Sequence, residues 1–266
     1  MEMTKNDRRI NIALIMAIIF FGTYTLFSAY KVADIKRSYS IREITYSKIA
    51  DTCTTVSSGY KDEIFYDGSS RGEDDFPVKA DFDELNSICT FGSIVGWVYS
   101  PGTLINYPVA QCDDNYYYLK HLIDGTENPS GAIYCDFRSQ QNFEGENTVI
   151  YGHHMADGSM LASIKNYYSK ESYYDEHPCI YLSTPYKNYT LEVFSAYQTV
   201  TSDDKTFSVS FSEDFTFKDY IDHLKANNAI KGIQDVSVTT MDRVVLFVTC
   251  AYQSENGRSV LACVIR

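Results

Sequence analysis

Positive charge is scarce in this chain. Lys and Arg number 23 against 35 Asp and Glu, a formal net charge of −12. A general nucleic-acid or anionic-surface binder carries the opposite balance, so nucleic acid is not an expected partner. None of the seven cysteines forms a C-x-x-C pair with another, which removes zinc ribbons and thioredoxin-like redox pairs. There is no internal repeat and no low-complexity tract. Tryptophan occurs once, whereas tyrosine occurs 23 times. Tyrosine is at home in strands, so the composition leans towards β structure.

Charge is also missing from one long run. Residues 10–30 are 21 consecutive uncharged positions, and at about 1.5 Å per residue a helix of that length spans roughly the 30 Å of a bilayer core. A cleavable signal would end in a small-x-small site, but Phe27 stands two positions before Ala29. The expectation is an uncleaved signal-anchor, with residues 1–9 as a cytoplasmic tail. Basic residues lie on both sides of the run, so they do not orient it. The short tail and long C-terminal part favour a single-pass cell-membrane protein with its main domain outside the cell.

Residues 31–80 read as a juxtamembrane helix, to about residue 60, and a Gly-, Ser- and acid-rich linker over 66–75. A short helix is expected over 81–88. From Ile94 the period changes to that of short strands, over 94–99, 105–111, 115–119, 131–136, 147–153, 179–182 and 189–197, closed by 242–250 and 259–266. Pro108 marks the second as an edge or a bulge. Strands at this spacing suggest a barrel or sandwich. Two helices interrupt, one over 160–168 and one carrying Phe217, Tyr220, Ile221 and Leu224 at i, i+3, i+4, i+7.

Three residues at probable strand ends carry the chemistry. Cys250 ends the apolar run Val-Val-Leu-Phe-Val-Thr-Cys, Arg258 opens the last strand, and His153 ends the 147–153 strand. A thiol of ordinary pKa near 8.5 is only a few per cent thiolate at neutral pH. An imidazolium nearby stabilises the thiolate and can protonate a leaving amine. A guanidinium can hold the oxyanion of a tetrahedral intermediate. Cys250 and His153 are 97 residues apart (250 − 153), so only a fold can join them. Each also has a plain reading, as a packed thiol, a surface imidazole and a surface charge. A metal site at His153 and His154 is disfavoured, because neighbouring strand residues point to opposite faces and no third ligand is suitably spaced. Cys135, Cys179 and Cys263 lie in apolar runs and read as small buried residues.

The motifs Asn106-Tyr107-Pro108-Val109, Tyr151-Gly152-His153-His154-Met155, Asp157-Gly158-Ser159-Met160, Leu246-Phe247-Val248-Thr249-Cys250 and Gly257-Arg258 together resemble the sortase family. The Gly-His-His-Met segment and the helix before the Cys strand are most similar to class B. The resemblance covers about residues 81–266. It implies a mainly β fold, an eight-stranded barrel with N-terminal helices and a helix in the insertion before the Cys strand. It implies a cysteine transpeptidase that needs no cofactor or metal. Such an enzyme cuts a C-terminal sorting signal after Thr, holds the acyl group as a thioester and passes it to a peptidoglycan amine. By motif position, Cys250 is the nucleophile, His153 the general acid/base and Arg258 the substrate and oxyanion clamp. His154 is a neighbour without a direct part. Asn106, Ala110, Val248 and Thr249 would line the signal groove. Leu246 and Phe247 stand where the family often has Thr-Leu, Val248 where class B often has Ser, and Ala110 where it often has a larger aliphatic. Two rival readings are an exported cysteine peptidase, with water as acceptor, and a non-enzymatic surface barrel that binds a ligand.

Overall fold

The computed structural model describes residues 5–56, 76–233, 236–250 and 256–266. They fall into two compact units, Met1–Ile44 and Thr45–Arg266. Helix α1 (Lys5–Cys53) is continuous, so the apolar span and the expected juxtamembrane helix are one element. No proline interrupts it, and Thr23, Thr25 and Ser38 donate their hydroxyls back to carbonyls three or four residues earlier. Leu14, Phe20 and Phe21 are 59%, 65% and 64% exposed. Among the described residues this is the one helix long and apolar enough to cross a membrane, which makes it a candidate membrane anchor. It stops at Cys53, short of residue 60, where the chain turns into strand β1 (Thr54–Val56). The linker expected over 66–75 lies outside the described residues.

β1 pairs antiparallel with β2 (Val78–Ala80). Helix α2 (Phe82–Ile88) follows, its first turn capped by the Asp81 carboxylate, which accepts the Glu84 N–H at 3.0 Å. The barrel strands are β3 (Ser93–Tyr99), β4 (Asn106–Gln111), β5 (Ile133–Cys135), β6 (Asn147–Tyr151), β7 (Cys179–Ser183), β8 (Asn188–Val200), β9 (Val244–Cys250) and β10 (Gly257–Ile265). They close in the order β10-β8-β7-β3-β4-β5-β6-β9, the eight-stranded barrel that the motifs imply. Closure leaves β4 without a free edge. Pro108 sits just before the short parallel ladder with β5, which pairs only Val109 and Ala110. The register shift falls in the partner strand, between Ile94 and Gly96.

Two expected elements take a different form. Residues 115–119 are not a strand but end in a 3-10 turn, Tyr117–Leu119. The Asp114 carboxylate accepts the N–H groups of Tyr116 and Tyr117 at 2.7 and 2.8 Å, which coils the backbone away from a ladder. Residues 160–168 are not one helix. Met160 has a left-handed φ of 58°, a 3-10 turn Ala162–Lys165 comes next, and helix α3 (Asn166–Ser169) is a single turn. Helix α4 (Tyr173–Glu176) is equally short.

The insertion between β8 and β9 carries α5 (Phe217–Ala226), begun by a capping box between Thr216 and Asp219. Its apolar stripe, Phe217, Tyr220, Ile221 and Leu224, is buried on the barrel wall against Val149 of β6, Leu246 of β9 and Ala262 of β10. Each such side chain contributes about 1.5–3 kcal/mol on burial. This covered wall leads directly to the site.

Candidate active site

β9 leaves the barrel at Cys250 and β10 returns beside it. Their antiparallel register sets Arg258 opposite Cys250, so the two side chains leave the sheet on one face. On the other side of β9, β6 runs parallel, with Tyr151 beside Val248. The pairing continues through Gly152, whose N–H donates to the Val248 carbonyl at 3.1 Å. His153 follows at once, between Gly152, which bonds the Val248 carbonyl, and His154, whose ring reaches the Cys250 carbonyl.

The face follows from period 2. Val244, Leu246 and Val248 on β9, Val260 and Ala262 on β10, and Val149 on β6 all join the apolar cluster under α5. Cys250 and Arg258 continue those rows on the same outer face, and His153 follows the end of β6. There the cover ends, and all three are half-buried. Gly152 is required where it stands, because an added Cβ would lie 2.7 Å from Leu161 Cγ.

His153 is held by the backbone. Its Nε2 lies 3.0 Å from the Leu119 carbonyl, which can only accept, so Nε2 donates and Nδ1 is left for proton exchange. The Asp114-capped turn that ends at Leu119 is what supplies this carbonyl. Arg258 anchors Nη1 on the Gly257 carbonyl at 2.9 Å. The next histidine, His154, is buried at 6% exposure, and its Nδ1 lies 3.1 Å from the carbonyl of Cys250 itself.

A cleft of ≈ 690 Å³ opens beside Arg258, with neither Cys250 nor His153 in its lining. Tyr151, Val248, Arg138 and Arg258 line the barrel side, and residues 207–210 of the β8–α5 insertion line the other. Arg138 is fixed from below. Its Nε and Nη2 donate to the two oxygens of buried Asp136 at 2.9 and 2.7 Å, and Tyr151 donates its hydroxyl to the same carboxylate at 3.1 Å. Burial pushes the Asp136 carboxyl up, but the bonds and charge of Arg138, with the Tyr151 hydroxyl, bring it net below the usual range. Burial and the neighbouring Asp136 push the Tyr151 phenol up, so it stays a neutral donor.

None of the seven cysteines is joined in a disulfide. Cys135, Cys179 and Cys263 are buried, as their apolar surroundings suggest. Burial pushes the Cys53, Cys112, Cys135 and Cys263 thiols up, which holds them protonated and unreactive. Cys250 and Cys89 are the two half-buried thiols, and Cys250 stands beside an imidazole and a guanidinium. Among the described residues no group of three His, Cys, Asp or Glu side chains is placed to hold a metal ion.

Of the four residues expected in the groove, Val248 lines the cleft. Thr249 does not. One residue along β9, it points to the opposite face and is buried at 2%. Ala110 is fully buried in β4 and is not part of this cleft wall. Asn106 is half-buried, accepts the Trp97 indole N–H at 2.7 Å and is not part of this cleft wall. Sequence reasoning missed Tyr151 and Arg138. Tyr151 was within reach, since it lies two residues before His153 and so shares its face. Arg138 was not, because only the fold reveals the buried carboxylate that aims it.

A sortase-domain family model matches residues 99–265. Sortase B of Staphylococcus aureus (strain NCTC 8325 / PS 47) is 30% identical over 258 residues, 96% of this chain and 95% of that protein. The Staphylococcus aureus sortase B–substrate complex superposes with a TM-score of 0.63 at 34% identity, covering 70% of this chain and 84% of that one. Sortase B from B. anthracis, in complex with AAEK1, gives a TM-score of 0.69 at 27% identity, covering 87% of this chain and 99% of that one. The barrel order, the site and these similarities agree, and the chain belongs to the sortase family of cysteine transpeptidases, among its class B members.

Proposed function

We propose that the protein cleaves a C-terminal sorting signal after Thr, holds the acyl part as a thioester on Cys250 and transfers it to a peptidoglycan amine. The observation that carries this reading is the β9–β10 register, which pairs Arg258 with Cys250, together with the histidine pair that follows β6 beside the end of β9. The Cys250 thiolate adds to the Thr carbonyl carbon, and Arg258 holds the oxyanion. The C–N bond breaks as His153 gives its proton to the leaving amine, leaving a thioester. The acceptor amine then attacks, its proton returns to His153, and the C–S bond breaks to restore the thiolate. The substrate-bound staphylococcal relative supports a sorting-signal substrate.

In the same reading, residues 1–9 are a cytoplasmic tail and residues 10–30 a single membrane span. Residues 31–80 are the juxtamembrane part, and residues 81–266 form the catalytic domain outside the cell. The apolar exposed surface of α1 supports this placement.

The test uses the full-length chain in detergent with Asn/Ser-Pro-x-Thr-x peptides. Cleavage is expected for the wild type, with a new amide product when an amine is supplied. A methanethiosulfonate reagent should block it, and Cys250→Ala should show no cleavage. Full cleavage by Cys250→Ala would end the reading. Hydrolysis alone, whatever amine is present, would make the protein a peptidase.

A further inference from the structure

The ladder between β6 and β9 stops one rung before it reaches the nucleophile. In a parallel pair, the N–H donors of one strand that bond its neighbour are two residues apart, and so are their acceptor carbonyls. The last main-chain rung runs from Gly152 N–H to the Val248 carbonyl at 3.1 Å. The next would run from the His154 N–H to the Cys250 carbonyl. The backbone of His154 is instead turned into a bridge with Met160, while the Leu161 N–H donates to the His153 carbonyl at 3.1 Å. The His154 ring takes over. Its Nδ1 reaches the Cys250 carbonyl at 3.1 Å, across 96 residues of sequence.

We infer that His154 is a positioning residue, whose imidazole Nδ1–H replaces the missing main-chain rung and fixes the end of β9, and with it the position of Cys250. This rests on Cys250 being the nucleophile, as proposed above. A carbonyl has no proton to give, so the ring must be the donor. Burial pushes His154 down, the Lys165 ammonium adds to this, and the bond to Cys250 opposes both. The ring is therefore neutral, with its proton on Nδ1. The adjacent histidines then carry opposite tautomers: His153 donates from Nε2 to Leu119 and His154 from Nδ1 to Cys250. The exposed ring exchanges a proton, while the buried one keeps its own. A nucleophile displaced by about 1 Å can lose two orders of magnitude in rate, and the free end of a strand has that latitude unless it is tied.

The experiment compares His154→Leu, His154→Asn and His154→Gln in the full-length chain, with Cys250→Ala as the control. An Asn amide nitrogen sits where His Nδ1 sits, whereas a Gln amide nitrogen sits nearer the place of Nε2. His154→Leu is expected to lower kcat for peptide cleavage roughly 10- to 100-fold, with KM changed less than about twofold. His154→Asn should recover most of the loss and His154→Gln little of it. Wild-type kcat in His154→Leu would overturn the inference, as would equal loss in folded Leu and Asn variants. Cleavage by Cys250→Ala would instead overturn the proposed function. A second measurement does not depend on the variants folding. In the wild-type chain labelled with 15N-histidine, the buried ring should show its proton on Nδ1 at neutral pH. A proton on Nε2 alone would overturn the inference.

Discussion

The outer wall formed by β6, β9 and β10 has two halves built on the same alternating pattern. In one half Val149, Leu246 and Ala262 lie under α5 and are fully buried. In the other, Cys250 and Arg258 on β9 and β10, and His153 just past the end of β6, are half-exposed. The β9–β10 register runs unchanged through both halves, whereas the β6–β9 ladder and the cover both end at the open half. The covered half stabilises the barrel, and the register it enforces is what aligns the groups in the uncovered half. The open half begins where the cover of α5 stops.

The sharpest test of this division is a pair of substitutions, one in each half. Leu246→Ala, under α5, should destabilise by about 2–5 kcal/mol, read as a fall in the urea midpoint, and any loss of activity should follow unfolding. Arg258→Ala, in the open half, should leave that midpoint nearly unchanged but lower kcat by about 10²–10³-fold, as loss of an oxyanion partner does. If Arg258→Ala unfolded the protein as readily as Leu246→Ala, the two halves would not be distinct.

A weaker effect tests the floor of the cleft. The Asp136 carboxyl is held below the usual range in the folded protein. Its ionised form therefore stabilises the fold above the unfolded carboxylate value, near 3.9. That contribution fades as pH falls through the lower folded value. Urea midpoints measured from pH 6 down to pH 2.5 should drop in the wild type, and Asp136→Asn should show a flatter profile. Asp114, Asp203 and Asp219 also titrate low, so the difference between the two curves is the readout. Parallel curves would mean that the Asp136–Arg138 pair contributes nothing. The smallest effect expected is at the edge of the cover. Thr216→Ala removes the capping hydroxyl of α5 and should cost about 1 kcal/mol, with kcat unchanged.

The sequence reads well where a local pattern and the tertiary demand agree. The apolar β9 run and the i, i+3, i+4, i+7 stripe of α5 are found where they are expected. It reads poorly where one side chain redirects the backbone. Asp114 turned an aromatic segment that looks like a strand into a 3-10 turn, and that turn supplies the carbonyl that holds His153. The resemblance names both Val248 and Thr249 for the groove, while alternation puts these adjacent strand residues on opposite faces, with Val248 alone of the two on the cleft wall. His154 looked idle beside His153. It lies off the end of the ladder, and only a contact between residues 96 positions apart gives it a role.

From sequence alone, the identity of the reacting groups follows: a thiol, an imidazole and a guanidinium at strand ends, in motifs that together resemble one family. So does the apolar helix at the N-terminus. These are statements about residue type and spacing, and the primary structure holds them in full. Only the tertiary structure decided which groups share a face, which tautomer each histidine holds, and which residues line the cleft. Those depend on strand register and on carbonyls contributed by distant segments, Leu119 for His153 and Cys250 for His154. Periodicity names the face of a strand, but register between strands, set by packing over the whole barrel, determines what stands opposite.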